Sequence, residues 1–103
     1  MKIIRQKKDL EEVIKNISSI SFVPTMGSLH KGHEFLINKA RKKNKIVLVS
    51  IFVNPKQFNS KSDFRNYPRN FKKDLKICKK LKVNYLYYPF YKDIYGFKTK
   101  NKI

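Results

Sequence analysis

Acidic side chains are scarce in this sequence: seven Asp and Glu stand against 25 Lys and Arg, a formal net charge of +18. Cysteine occurs once, at Cys78, which excludes an internal disulfide and suits a reducing compartment. Its place on the apolar side of an expected helix reads as plain packing. No apolar run approaches the ~18 residues of a membrane span. The opening residues Met1, Lys2, Ile3, Ile4 and Arg5 lack the longer apolar core of a secretory signal. A cytoplasmic protein with no membrane partner is therefore expected. The 103 residues allow one domain and not two, and a fold of that size buries roughly 60–70% of its unfolded surface. At 41% hydrophobic residues the chain is too apolar for disorder in spite of its charge.

Arginine is scarce as well. Only Arg5, Arg41, Arg65 and Arg69 contribute to the basic total, and the lysines are spread along nearly the whole chain. Arginine does most of the specific reading of bases and phosphates. Lysine with Asn, Ile, Tyr and Phe instead follows A/T-rich codon usage. The charge thus reads as a solvated surface, and nucleic acid is not the expected partner.

What is present is an alternation of helical and strand patterns. Ile3 and Ile4 suit a short edge strand or lead-in. Asp9 and Glu12 have the spacing of an N-cap and capping box, followed by Leu10, Val13, Ile14 and Ile17 on one helical face and a stop at Ser18 and Ser19. Residues 20–23 read as a strand with Pro24 at its exit. Phe35, Leu36, Ile37 and Ala40 give a second helix that fades across residues 41–44. Residues 46–53, almost all apolar and β-branched, read as a strand buried on both faces of a parallel sheet. Residues 56–69 have no clear period and read as a structured loop. Phe71, Leu75, Cys78 and Leu81 mark a third helix, and residues 83–88 a last strand, stopped by Pro89. Such alternation predicts an α/β fold with right-handed crossovers and a parallel sheet flanked by helices. A sheet whose last strand ends at Tyr88 is expected to leave an unpaired edge and an uncovered apolar face, and so to self-associate.

Ligands bind outside the carboxyl ends of parallel strands, which singles out residues 24–33, 54–58 and 89–95. The first of these carries T-M-G-S-L-H-K-G-H, with Gly27 and Gly32, two of the chain's three glycines, beside His30 and His33. Strand, glycine loop and helix N-terminus make a phosphate site, in which imidazolium N–H groups would meet the charge. A metal site is not expected, because there is no third histidine and carboxylates are few.

Three blocks in this order and spacing, P-T-M-G-S-L-H-K-G-H (residues 24–33), S-I-F-V-N-P-K-Q-F (50–58) and D-F-x-x-Y-P-R (63–69), resemble the pantoate–β-alanine ligases. The resemblance runs on through the third helix to Tyr95, Gly96, Phe97, Lys98 and Thr99. It implies a Rossmann-like fold of the H-x-G-H nucleotidyltransferase type. It also implies that residues 1–103 match the N-terminal nucleotide-binding domain only in part, with the rest of that domain and a C-terminal domain beyond. The implied reaction condenses pantoate with β-alanine through a pantoyl adenylate, giving pantothenate, AMP and pyrophosphate. His33 would be catalytic. Met26, Gly27, Ser28, Leu29, His30, Lys31, Gly32 and His33 would bind ATP, with Mg2+ carried by the nucleotide. Pro24, Thr25, Met26, Asn54 and Gln57 would bind pantoate and β-alanine. A neutral amide such as Gln57 can donate to a carboxylate and accept from a hydroxyl, as an α-hydroxy acid requires. Asn54 has turn formation before Pro55 as an equal alternative, and Tyr67, Pro68 and Arg69 would form a loop wall. The family's later phosphate-contacting blocks are not in this sequence, so turnover is expected to be reduced or absent unless a homodimer or complementary polypeptide supplies them. Another H-x-G-H nucleotidyltransferase and a non-catalytic basic remnant are the alternatives.

Overall fold

The structure is a computed structural model that describes residues 1–90. Four parallel strands, β1 (Lys2–Ile4), β2 (Ser21–Thr25), β3 (Val47–Ile51) and β4 (Tyr85–Tyr87), lie in the order β1-β4-β3-β2. The connections are α1 (Lys7–Lys15), α2 (Lys31–Lys43), α3 (Lys61–Asn66) and α4 (Phe71–Lys80), with a 3₁₀ turn at Pro55–Gln57. From β2 through β3 to β4 the chain steps across the sheet in one direction, so right-handed crossovers put α2 and α4 on one face. The return from β1 to β2 runs the other way and puts α1 on the opposite face.

Register explains the burial. Val23, Val49 and Leu86 share one row across the sheet, and with Val47, Ile51, Ile37, Cys78 and Val83 they form the core under α2 and α4. Every residue of β3 is buried, as the unbroken apolar run predicts for a central strand. On the α1 face, Ile4 and Leu48 are buried but Phe22 is 56% exposed, because α1 packs at the β1 side of the sheet. No helix of the described residues is long and apolar enough to cross a membrane.

Several boundaries differ from the sequence reading. Gln6, not Asp9, is the N-cap of α1, in extended conformation and with no side-chain bond to the helix. Asp9 sits instead in the first turn, where its charge faces the positive helix end. The helix stops at Asn16 before reaching Ser18. Pro24 lies within β2, paired with Ser50, and is tolerated because β2 is an edge strand. β4 is interior, between β1 and β3, so the sheet edges are β1 and β2.

The segment read as a loop contains α3, capped by Ser60, which accepts from Asp63 N at 3.1 Å. A six-residue helix is too short to display a period. Phe58 holds it by edge contacts with Phe64 and Tyr67, at 5.6 and 5.4 Å between ring centres. The expected loop beyond Phe90 and the family-like residues 95–99 lie outside the described residues.

Candidate active site

The turn between β2 and α2 is shaped by backbone conformations that few side chains adopt. Gly27 has φ +83° and Ser28 φ +52°. A Cβ on Gly27 would stand 3.1 Å from Asp74 Oδ2 and 3.2 Å from Ile51 Cγ2, so both the dihedral angle and the space demand glycine. Thr25 Oγ1 donates to Ser50 O at 2.9 Å and accepts from Gly27 N at 3.1 Å. Ser28 Oγ ties the turn to the far loop by donating to Pro68 O at 3.0 Å.

His30 is the N-cap of α2, in extended conformation, and its Nδ1 accepts from Gly32 N at 3.0 Å. His33 Nδ1 in turn accepts from His30 N at 3.2 Å. The spacing of three brings the second ring back over the first, with ring centres 4.2 Å apart. Because each Nδ1 is an acceptor, the neutral rings carry their proton on Nε2. Burial lowers the His33 pKa below the ordinary imidazole value and the neighbouring His30 lowers it further, while the Asp74 carboxylate opposes both. The expectation of imidazolium donors is therefore revised for His33: the resting group is a neutral ring used as a capping acceptor.

The expected phosphate cradle is revised too. The N–H groups of Gly27, Ser28, Leu29, His30 and Gly32 are all taken by side chains of the protein. Those of Ser28 and Leu29 go to one carboxylate: Asp74 Oδ2 accepts from Ser28 N at 3.0 Å and Oδ1 from Leu29 N at 2.8 Å. Asp74 is only 2% exposed and lies in the first turn of α4, whose positive end also favours the charge. Sequence reading passed over this residue. The signal was there, because Asp74 falls three after Phe71 on the stripe that Leu75 and Cys78 continue.

The remaining sequence candidates divide. Asn54 Oδ1 accepts from Lys56 N at 3.0 Å and starts the 3₁₀ turn, the turn-forming alternative. Gln57, at the end of that turn, is exposed, as are Pro24 and Lys31. Arg69 donates to the carbonyls of Tyr67 and Phe64 at 2.8 and 2.9 Å, so it closes the end of α3. Met26 and Gly27 line a cavity of about 320 Å³ beyond the strand ends, together with Arg5, Arg69, Phe71 and Tyr88. His30, His33, Asn54 and Gln57 are not in its wall. Arg5 packs its guanidinium over Tyr88 and Phe90, 4.5 and 3.8 Å from their ring centres, and Phe71 stacks on Tyr88 at 4.2 Å. Among the described residues no group of three His, Cys, Asp or Glu side chains gathers to hold a metal ion.

Residues 2–103 match the family model described as pantoate-beta-alanine ligase. The chain belongs to that family. Pantothenate synthetase from Helicobacter acinonychis is 42% identical over 104 residues, which take in all of this chain and 38% of the relative. The one from Sulfurihydrogenibium is 51% identical over 87 residues, 82% of this chain and 31% of that protein. Among solved structures, pantoate-beta-alanine ligase from Francisella tularensis, complexed with beta-gamma ATP and beta-alanine, superposes with a TM-score of 0.88 at 43% identity. That match covers 93% of this chain and 38% of the other. The chain thus spans less than two fifths of the length of these relatives.

Proposed function

We propose that the chain is the N-terminal, nucleotide-binding part of a pantothenate synthetase, acting in the cytoplasm on ATP, pantoate and β-alanine. In the first step a pantoate carboxylate oxygen bonds to the α-phosphorus of ATP, and the bond from that phosphorus to pyrophosphate breaks. In the second, the β-alanine nitrogen attacks the acyl carbon and the bond to AMP breaks, the amine proton passing to solvent. Phosphoryl transfer needs positioning and charge stabilisation more than covalent help.

The observation that supports the reading is the pair of imidazoles on the N-terminus of α2, each anchored through Nδ1 and presenting Nε2. Negative charge gathers on the phosphate oxygens as pyrophosphate departs. On this reading the Nε2–H of His33 donates to it, with His30 beside it and the positive end of α2 behind both. Lys31 adds a mobile cation at the same mouth. Met26 forms floor, and Gln57, on the turn that Asn54 caps after β3, holds the acid. Mg2+ arrives with the nucleotide. Among the described residues none makes a protein-held magnesium site, since the one buried carboxylate there, Asp74, has both oxygens occupied by backbone N–H groups.

The test is formation of pantothenate and AMP from the three substrates. It is run with the chain alone and with a chimera in which the chain replaces the matching part of the Helicobacter acinonychis relative. The chimera is expected to form both products in equal amount, and His33→Ala to slow it by about 10²–10³-fold, the usual worth of one hydrogen-bond donor aimed at developing charge. A folded chimera that makes no pantothenate overturns the reading. Product from the chain alone, at native mass or as a homodimer, would mean that these residues assemble their own complement.

A further inference from the structure

Asp74 is the acidic side chain on which the active-site turn closes, although it lies 45 residues further along the chain than Leu29. Three facts meet at its carboxylate. Both oxygens accept from successive backbone N–H groups, those of Ser28 and Leu29. Gly27 Cα comes so close that an added Cβ would stand 3.1 Å from Oδ2. Ser28 itself is held at φ +52°, a left-handed conformation that a serine takes only under constraint. An amide N–H at a turn before a helix ordinarily points out to an anion. Here a protein carboxylate takes that place from the inside.

We propose that Asp74 is a positioning residue for the nucleotide site: it turns the Ser28 and Leu29 N–H groups into the protein, so that the phosphates are met by the two imidazoles rather than by an amide cradle. This deepens the reading of the site as nucleotide-binding and rests on it. With the turn pinned, His30 starts α2 at a fixed point, and His33 follows through its bond to His30 N. Asp74 also lies close enough to His33 to favour its protonation. The titratable groups acting on His33 are His30, on its own helix end, and Asp74, from α4.

Asp74→Asn tests this in the free chain. Asn keeps the shape but offers one acceptor oxygen, and its NH₂ faces an N–H, so one of the two bonds is lost. Val83→Ala is the control, a core lesion on the same side of the sheet that lowers stability without touching the turn. In Asp74→Asn the Ser28 and Leu29 amides are expected to exchange with solvent at least about tenfold faster than in the control, as locally opened amides do. The His33 titration followed by NMR is expected to move to lower pH, and ATP affinity to fall by about tenfold, the loss of one charge-assisted bond. Val83→Ala is expected to lower Tm and leave all three readings at the wild-type values. If Asp74→Asn merely lowers Tm and matches Val83→Ala in amide exchange and His33 midpoint, the proposal is overturned. If the wild-type chain binds no ATP, the nucleotide reading fails, while amide exchange and the His33 midpoint still decide whether Asp74 holds the turn.

Discussion

Gly32 sits in the first turn of α2, where alanine would favour the helix by about 1 kcal/mol. Its missing Cβ nevertheless has a use, because a methyl there would stand 2.8 Å from His30 Cε1 and 3.1 Å from Nδ1. Gly32→Ala must push the imidazole off the helix end, at the cost of an N-cap worth about 1 kcal/mol. The two effects offset, so Tm is expected to change little, while ATP affinity measured by calorimetry falls by about tenfold or 1.4 kcal/mol. A binding loss with a matching loss of Tm would contradict that. The same ring chemistry gives a pH dependence. His33 has a pKa below 6.5 in the folded chain, so the unfolded chain takes up its proton first. The stabilisation is complete above pH 6.5 and is lost as pH falls through the His33 value. Tm followed from neutral into mild acid is expected to drop, with a shallower slope in His33→Gln.

Among the elements, α4 joins core and site. Cys78 is wholly buried on it, and burial, reinforced by the charge of Asp74, pushes its thiol up to about 11. A thiolate is the reactive form. Reaction of Cys78 with a disulfide reagent near neutral pH is therefore expected to track unfolding and to accelerate with denaturant. Fast labelling of native protein would mean that α4 opens independently. This helix was also the most legible in sequence: its apolar spacing marked it, and Asn70 caps it at 3.1 Å from Lys73 N. The strands were legible in kind but not in neighbours, since β4 looks like an end when read in order and is interior in space. The H-x-G-H residues marked the candidate site in sequence, but the carboxylate that closes the turn before them comes from α4, and no local pattern carries that. The place of Asp74 on the apolar stripe of α4 marks it in sequence, but its role shows only when its backbone partners are seen.

For the molecule as a whole, charge and exposed apolar surface oppose each other. At the β2 edge, on the α1 face, Phe22 is 56% exposed, and on α2, across the sheet, Phe35 and Leu36 are 66% and 50% exposed, apolar area that favours association. A net charge of +18 resists it. Salt shortens the reach of that repulsion to about 10 Å at 0.1 M. Sedimentation is expected to show monomer at low ionic strength and growing association as salt rises, reduced by Phe22→Lys. A monomer at every salt concentration would show that this surface does not self-associate.

The strand order has one more consequence, for the time course of folding. β1, the first of the described strands, pairs only with β4, the last of the described elements, and Arg5 bonds to the carbonyl of Tyr88 across 83 residues. β2, α2 and β3 can assemble from near neighbours, whereas β1 has no partner until β4 is made. During synthesis β1 therefore emerges well before its partner, and until β4 arrives it remains open to proteases and chaperones.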